Sequence, residues 1–141
     1  MAGKRFAGLL LATAMGLACG WLLRGEEKNS VAVVYYWKAK PGKLEDYNRY
    51  IKTVAEPVDA EARKQGAFVS VTTYISRKAD SPWTHMRVFI LRDAEQAAKF
   101  AQALDDAGVR VQPDEGKRRA NQELAASLRD FVAEEEFDIL K

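Results

Sequence analysis

The sequence is poor in the side chains that build metal centres and nucleophilic sites. It has one histidine, His85, and one cysteine, Cys19, among 141 residues. The common transition-metal sites need several such ligands, and a catalytic thiol needs a base beside it. The sequence also has no glycine-rich phosphate loop, no nucleophile elbow and no paired-histidine motif. We therefore expect no metal and no other cofactor.

An excess of charge of one sign is also missing once the first residues are set aside. Three of the 22 basic residues, Lys4, Arg5 and Arg24, precede Glu26, which leaves 19 basic residues against 20 acidic ones. A nearly neutral domain gives no electrostatic case for nucleic-acid binding. The length allows one domain of ordinary size.

One long hydrophobic run is present, at the amino-terminal end. Phe6–Leu23 contains 18 residues without a charge and follows Lys4 and Arg5. This arrangement is typical of an export signal or a membrane anchor. We therefore divide the chain into a leader with a short tether, residues 1–28, and a folded domain, residues 29–141.

Three fates of the leader are open, and all of them place the domain outside the cytoplasm, in the periplasm or secreted. Gly16–Cys19 resembles a bacterial lipobox that would lipidate Cys19, although Gly16 stands where Leu is usual. An ordinary signal peptidase could instead cut before Cys19 or before Trp21, where small residues precede both positions. The leader could also stay as an anchor with its basic end inside. The remaining alternative is a buried helix of the domain.

Two alternating runs form the middle of the domain. Ala67–Arg77 and Trp83–Arg92 both have a period of two, which predicts strands, and Lys78–Pro82 has the composition of a turn. The sequence therefore predicts an antiparallel hairpin. We expect its aliphatic set to pack against helices, and its other set to point away from them. That other set is mixed in character: Phe68, Tyr74, Trp83, His85, Arg87 and Phe89.

The segments before the hairpin predict a strand and an interrupted helix. Val31–Lys40 is apolar on both faces, as in a central strand. Apolar residues then recur at intervals of three and four from Leu44 to Ala62, which predicts a helix that ends at Gly66. Pro57 should kink or split this helix near Thr53–Glu56.

Two more helices and a final strand are predicted after the hairpin. Asp93 is a suitable N-cap for a helix that should end at Gly108. Residues 114–130 predict a third helix, which should bury Leu124 and Leu128. Residues 131–140 suit either a strand or a helix, and the topology favours the strand.

The predicted order β-α-β-β-α-(α)-β is that of an α+β, ferredoxin-like domain with an extra carboxy-terminal helix. Its helices lie on one face of the sheet. The other face, carrying Phe68, Tyr74, Trp83 and Phe89, is too apolar to stay in water. The simplest cover is a second copy across a two-fold axis, so we expect a homodimer.

The sequence resembles the dimeric α/β-barrel superfamily, which includes antibiotic-biosynthesis monooxygenases and EthD-like proteins. The resemblance is carried by the first strand running into Lys40–Tyr47 (KPGKLEDY), by Trp83–Leu91 and by Asp93–Gln96. It implies two sheets that close into a barrel with a pocket in each half, and members range from oxygenases to binding proteins. The haem-degrading members use an Asn, a Trp and a His; Trp83 fits the Trp, but Val31–Lys40 has no Asn and Asp93–Ala107 no His. The resemblance therefore argues against haem as a cofactor.

The candidate ligand-binding residues are Tyr74, Trp83, His85 and Arg87, which are expected on one face of the hairpin. His85 is the weak catalytic candidate, as a proton shuttle, because histidine titrates near neutral pH. Arg87 could bind the carboxylate of a small anionic ligand or an acidic side chain of a partner subunit, and the aromatic residues could line a pocket for a flat aromatic ligand. The structural alternatives are a hydrogen-bonded histidine, an arginine in an ion pair and aromatic residues in a core or interface.

Three functions are compatible with this pattern. The first is an exported or membrane-tethered small-molecule-binding protein without catalysis. The alternative is a cofactor-independent monooxygenase or isomerase on an aromatic or polyketide-like substrate, with His85 as base and Arg87 holding a developing anion. A purely structural interaction domain is the third. Fold alone does not choose between them.

Overall fold

The computed structural model describes residues 28–141 of the chain. The predicted signal or anchor lies outside the described residues. Within 28–141, no helix is both long and apolar enough to cross a membrane. This segment holds a four-stranded sheet and two hydrophobic clusters of its own, so we expect it to fold without the preceding residues.

Four strands form one antiparallel sheet in the order β2-β3-β1-β4. They are β1 (Val31–Ala39), β2 (Ser70–Ile75), β3 (His85–Leu91) and β4 (Arg129–Asp138). The central position of β1 and the choice of a strand for the tail are confirmed. With the helices described next, this is the ferredoxin-like α+β fold that the sequence predicts.

The helical segments follow the predicted order, with one end misplaced. They are α1 (Leu44–Tyr50), a π-helical turn (Ile51–Ala55), α2 (Glu56–Lys64), α3 (Ala94–Val111) and α4 (Glu115–Leu128). The predicted break before Pro57 is confirmed as the π turn. Gly66, with a φ of 81°, follows α2 as expected. The predicted stop at Gly108 is wrong, because Gly108 keeps a negative φ inside α3.

The predicted N-cap of α3 is confirmed, whereas one of the two predicted buried residues of α4 is not buried. Asp93 accepts a hydrogen bond from the backbone N–H of Gln96 at 2.9 Å and begins α3, as expected. Asp114 begins α4 in the same way. Leu128 is buried as predicted, but Leu124 is exposed and Ala125 takes the buried position. A helix that touches the domain along a narrow stripe buries few of its apolar residues.

The main hydrophobic core lies between the sheet and the helices, and it contains residues that we expected on the opposite face. Phe89 packs against Phe68 and Phe100, with ring centroids 5.1 and 4.8 Å away. His85 and Arg87 share the face of Phe89 and are buried as well. The expectation that these β3 residues and Phe68 point away from the helices is wrong.

The strand register explains this reversal. Val71 pairs with Phe89 and Thr73 with Arg87, so the aliphatic set of β2 shares its face with the mixed set of β3. Tyr74 pairs with Met86 and lies on the other side of the sheet. That side, which we call the open face, includes Tyr36, Tyr74, Met86, Val88, Ile90 and Phe137.

Candidate functional site

A cleft of about 570 Å³ lies between the helix-facing side of the sheet and the helices. Tyr35, Trp37 and Phe89 contribute the sheet side, and Leu104 and Gly108 contribute part of α3. The volume is within the usual range for pockets that hold small molecules, and aromatic and aliphatic side chains predominate, as in such pockets. This cleft is therefore the candidate functional site.

The π turn forms one wall of the cleft. Within it, the backbone N–H of Glu56 donates to the carbonyl of Ile51, five residues back. Pro57 has no N–H to donate to Thr53, and its ring would clash with that carbonyl in a regular helix, so the wider turn relieves both problems. Val54 and Ala55 of the turn face the cleft. Such turns occur frequently at functional sites.

Arg87 borders the cleft, but its charge is already compensated. Its guanidinium donates to the carboxylate of Asp59 on α2, and its Nε donates to Thr73 Oγ1 at 3.2 Å. Both members of the ion pair are almost fully buried. Burial raises the pKa of Asp59, while Arg87 opposes this increase. Arg87 therefore forms an ion pair within the same chain. This was the structural alternative to binding a ligand.

The His85 side chain is buried between β3 and α1, and it does not line the cleft. Its Nε2 donates to Asn48 Oδ1 at 2.8 Å, which leaves Nδ1 to accept from the Thr84 hydroxyl at 2.9 Å. The Tyr47 ring lies 4.4 Å away, centroid to centroid. Burial, followed by the nearby Arg129 and Arg87, lowers the pKa of His85 to about 4. The imidazole is therefore neutral at pH 7.

Tyr74 and Trp83 lie on the other side of the sheet from His85 and Arg87. The Tyr74 side chain is half exposed on the open face. The Trp83 ring packs 5.8 Å from that of Tyr36, an open-face residue. The four candidate residues are therefore not brought together, and Arg87 alone of them borders the cleft.

Arg129 is a cleft residue that sequence reasoning missed. Its guanidinium carbon lies 3.6 Å from the Trp37 ring centroid and 5.7 Å from that of Tyr50, and its Nη1 donates to the Tyr47 hydroxyl at 2.6 Å. Arg129 is the first residue of β4 and caps α4. The sequence pattern placed it inside a continuing helix, and no motif marked it.

The phenols around the cleft are held in their neutral form. Burial, followed by the carboxylate of Glu134, raises the pKa of Tyr35 to about 12. Burial also raises the pKa of Tyr50 and of Tyr47, although Arg129 opposes the change at both. At neutral pH Tyr35 and Tyr50 are therefore neutral aromatic walls of the cleft, and none of the three phenols acts as a base.

Comparison with solved structures supports the fold. The structure of PA3566 from Pseudomonas aeruginosa matches 83% of this chain and 100% of its own, with a TM-score of 0.51 at 17% identity. A dimeric protein of unknown function and ferredoxin-like fold from Bacteroides fragilis matches 78% and 96%, with a TM-score of 0.51 at 10% identity. HapK from Hahella chejuensis matches 78% and 92%, with a TM-score of 0.50 at 12% identity.

No protein-family model and no curated protein sequence matches the chain. The structural matches have identities below 20% and therefore bear on the fold alone. They agree with the ferredoxin-like architecture implied by the resemblance to the dimeric α/β-barrel superfamily.

Proposed function

We propose that the protein binds a flat, largely apolar small molecule in the cleft between the sheet and the helices. The observation that carries this proposal is the cleft itself, about 570 Å³ with aromatic rings on its sheet side and a π turn in its wall. Small-molecule sites are typically concave clefts of this size with aromatic walls. The proposal keeps the predicted ligand class and replaces the predicted site.

Filling the cleft from Gly108 tests this function. A Cβ built at Gly108 meets no atom within 4 Å, and the residue borders the cleft. Gly108→Phe should therefore occupy the binding space without breaking α3. The matched control is Ala101→Phe, which places the same ring at an exposed position of α3. The probe is 2-naphthamide, a neutral planar molecule, titrated by calorimetry against residues 28–141.

We expect the wild-type domain and Ala101→Phe to bind the probe with equal affinity. Gly108→Phe should bind it at least about tenfold more weakly, a change of about 1.4 kcal/mol. Equal affinity in all three proteins would place the probe outside the cleft and contradict the proposal.

The oxygenase or isomerase alternative depended on His85 as a base within reach of the ligand. The imidazole has no exposed surface, both of its nitrogens are hydrogen-bonded, and its pKa is depressed. A general base must reach the proton that it removes. The geometry gives that alternative no support, and we retain the binding function.

We also propose that the protein is a homodimer through the open face. Tyr74 and Phe137 on this face are each nearly half exposed, and Val88 lies between them on a central strand. The similar protein from Bacteroides fragilis is described as dimeric. In a closed two-sheet arrangement the two clefts would lie on the outside of the paired sheets, each under its own helices.

Export or membrane tethering remains a proposal that rests on the sequence of residues 1–28. A reporter fused after Asn29 should be active outside the cytoplasm, and an exclusively cytoplasmic signal would contradict this. Cys19→Ser separates the fates of the leader. Loss of membrane attachment would indicate lipidation, while retention would indicate the anchor.

A further inference from the structure

The residues that line the cleft include more arginines than acids. Its lining contains three arginines and two aspartates, namely Arg87, Arg118, Arg129, Asp59 and Asp105. Asp59 compensates Arg87 in the buried ion pair. These five lining residues together carry one net positive charge, and the carboxylate of Glu134 lies beside Tyr35 on the sheet side. The attraction for a negative charge on a ligand therefore depends on the individual arginines and not on the total charge.

Arg118 is bound to the backbone and, within residues 28–141, stacks on no aromatic ring. Its Nη1 donates to the carbonyl oxygens of Gln112 and Pro113, at 2.8 and 2.7 Å. These bonds hold the guanidinium against the segment that joins α3 to α4. Arg118 consequently stabilises the connection between two helices that border the cleft.

Arg129 is held differently. One guanidinium face lies over Trp37, and Nη1 is bound to the Tyr47 hydroxyl, so the group has a fixed orientation. Within residues 28–141, no carboxylate lies within 4.0 Å of its nitrogens. A guanidinium has five N–H donors, and the Tyr47 bond uses one of them. Arg129 lines the cleft, and within residues 28–141 its remaining donors have no acceptor in hydrogen-bonding distance.

We propose that the cleft takes a planar aromatic molecule with a single carboxylate or similar monoanion, and that Arg129 binds that anion. A planar arginine edge matches the two oxygens of a carboxylate, and such bonds are among the strongest hydrogen bonds in proteins. The rings of Trp37 and Tyr35 would lie against the flat apolar part of the ligand. This inference rests on the proposed binding function and specifies its ligand class.

The test compares two probes that differ at one group. The probes are 2-naphthoate and 2-naphthamide, which share a ring system and have similar shapes, but only the first carries a charge at pH 7. Both are titrated against residues 28–141 as wild type, Arg129→Gln and Arg129→Lys. The control is Arg119→Gln, which removes the same charge from an exposed residue of α4 that is paired with Glu115. Circular dichroism checks that each variant is folded.

The wild-type domain should prefer 2-naphthoate, and Arg129→Gln should weaken 2-naphthoate binding about tenfold, or about 1.4 kcal/mol. Binding of 2-naphthamide should be unchanged, and Arg119→Gln should resemble the wild type for both probes. Arg129→Lys, which keeps the charge but loses the planar edge, should fall between the two.

Three results would overturn the inference, and they differ in whether the proposed binding function is also excluded. A wild-type domain without preference for 2-naphthoate excludes an anion subsite, whether or not Arg129→Gln folds. Equal losses for both probes in Arg129→Gln would show that Arg129 acts only by positioning Trp37 and Tyr47. In both cases the binding function survives. Failure of both probes to bind the wild type would remove the binding function as well.

Discussion

At the scale of single residues, the molecule buries two polar side chains under its sheet and gives each a partner. Arg87 pairs with Asp59, and His85 is hydrogen-bonded to Asn48 and Thr84. A buried charge without a partner is costly, so such residues persist only where the partner is provided. In the sequence, His85 and Arg87 resembled ligand-binding residues because Asn48 and Asp59 lie 37 and 28 positions away from them.

The Asp59–Arg87 pair should contribute strongly to stability because both of its charges are buried. Asp59→Asn leaves the buried Arg87 charge uncompensated and should lower the free energy of unfolding by about 3–5 kcal/mol in urea denaturation. The double variant Asp59→Leu with Arg87→Met removes both charges and should recover most of this loss. Arg119→Gln, which breaks an exposed pair within α4, should cost at most about 0.5 kcal/mol. A double variant less stable than Asp59→Asn would contradict this account.

His85 predicts a pH dependence of stability. Its pKa falls from 6.5 in the unfolded chain to about 4 in the folded protein, so the unfolded state binds a proton first as the pH decreases. The contribution is therefore fully present above pH 6.5 and is lost as the pH falls towards 4. Between pH 7 and pH 5 the loss should be about 2 kcal/mol relative to His85→Gln, which cannot titrate.

Urea unfolding of both proteins at the two pH values measures this difference, because the other titrating groups contribute equally to each. Parallel losses in wild type and His85→Gln would show that His85 is not the group that titrates. They would also remove the depressed pKa from the argument against His85 as a base.

At the scale of elements, the sequence predicted most of the helix and strand positions but not the faces of the sheet. The strands β2 and β3 both alternate, and the break before Pro57 follows from the missing N–H of proline. Alternation identifies two faces without showing which one the helices cover. Two sets of contacts between distant segments determine which face the helices cover. They are the cluster of Phe68, Phe89 and Phe100 and the ion pair of Arg87 with Asp59 on α2.

The sequence analysis missed Arg129 for a related reason, which is an error in the position of a helix end. Arg129 enters the site because α4 ends at Leu128 and β4 begins at once. A register shift opposite Tyr36 and Trp37, which leaves Val132 of β4 without a partner, then sets Arg129 opposite Ala39. Helix ends are uncertain by one or two residues in any sequence-based prediction. A predicted end two residues later left Arg129 inside a surface helix.

The π turn offers a test of how one element shapes the cleft. Deleting Lys52, an exposed residue of the turn, together with Pro57→Ala should convert α1, the turn and α2 into one regular helix. The wall that carries Val54 and Ala55 should then move, and affinity for 2-naphthamide should fall. Pro57→Ala alone is the matched control and should bind as the wild type. A folded deletion variant with unchanged affinity would show that the π turn is not needed for the cleft.

At the scale of the whole molecule, the ferredoxin-like sheet has helices on one face and an open, partly apolar other face. Two such sheets can cover each other while each keeps its own cleft. The homodimer and the binding function are therefore separable, and a variant can remove one without the other.

Sedimentation of residues 28–141 at micromolar concentration should show a dimer. Val88→Asp places a charge in the middle of the open face, where burial without a partner should weaken association by about 2–5 kcal/mol and give a folded monomer. Leu140→Asp, at a residue that is 97% exposed, is the control and should remain a dimer. A wild-type monomer, or a dimer that Val88→Asp does not affect, would exclude the open face as the interface.

The central claim is that the ligand occupies the cleft between the sheet and the helices, and a crystal structure with a bromine-labelled probe tests it most directly. Crystals of residues 28–141 soaked with 6-bromo-2-naphthoate should show the anomalous bromine signal inside the cleft, near Leu104 and Gly108. The carboxylate should lie within hydrogen-bonding distance of the Arg129 guanidinium. Bromine signal confined to the open face, with the cleft free of probe in crystals of a protein that binds it in solution, would contradict the account.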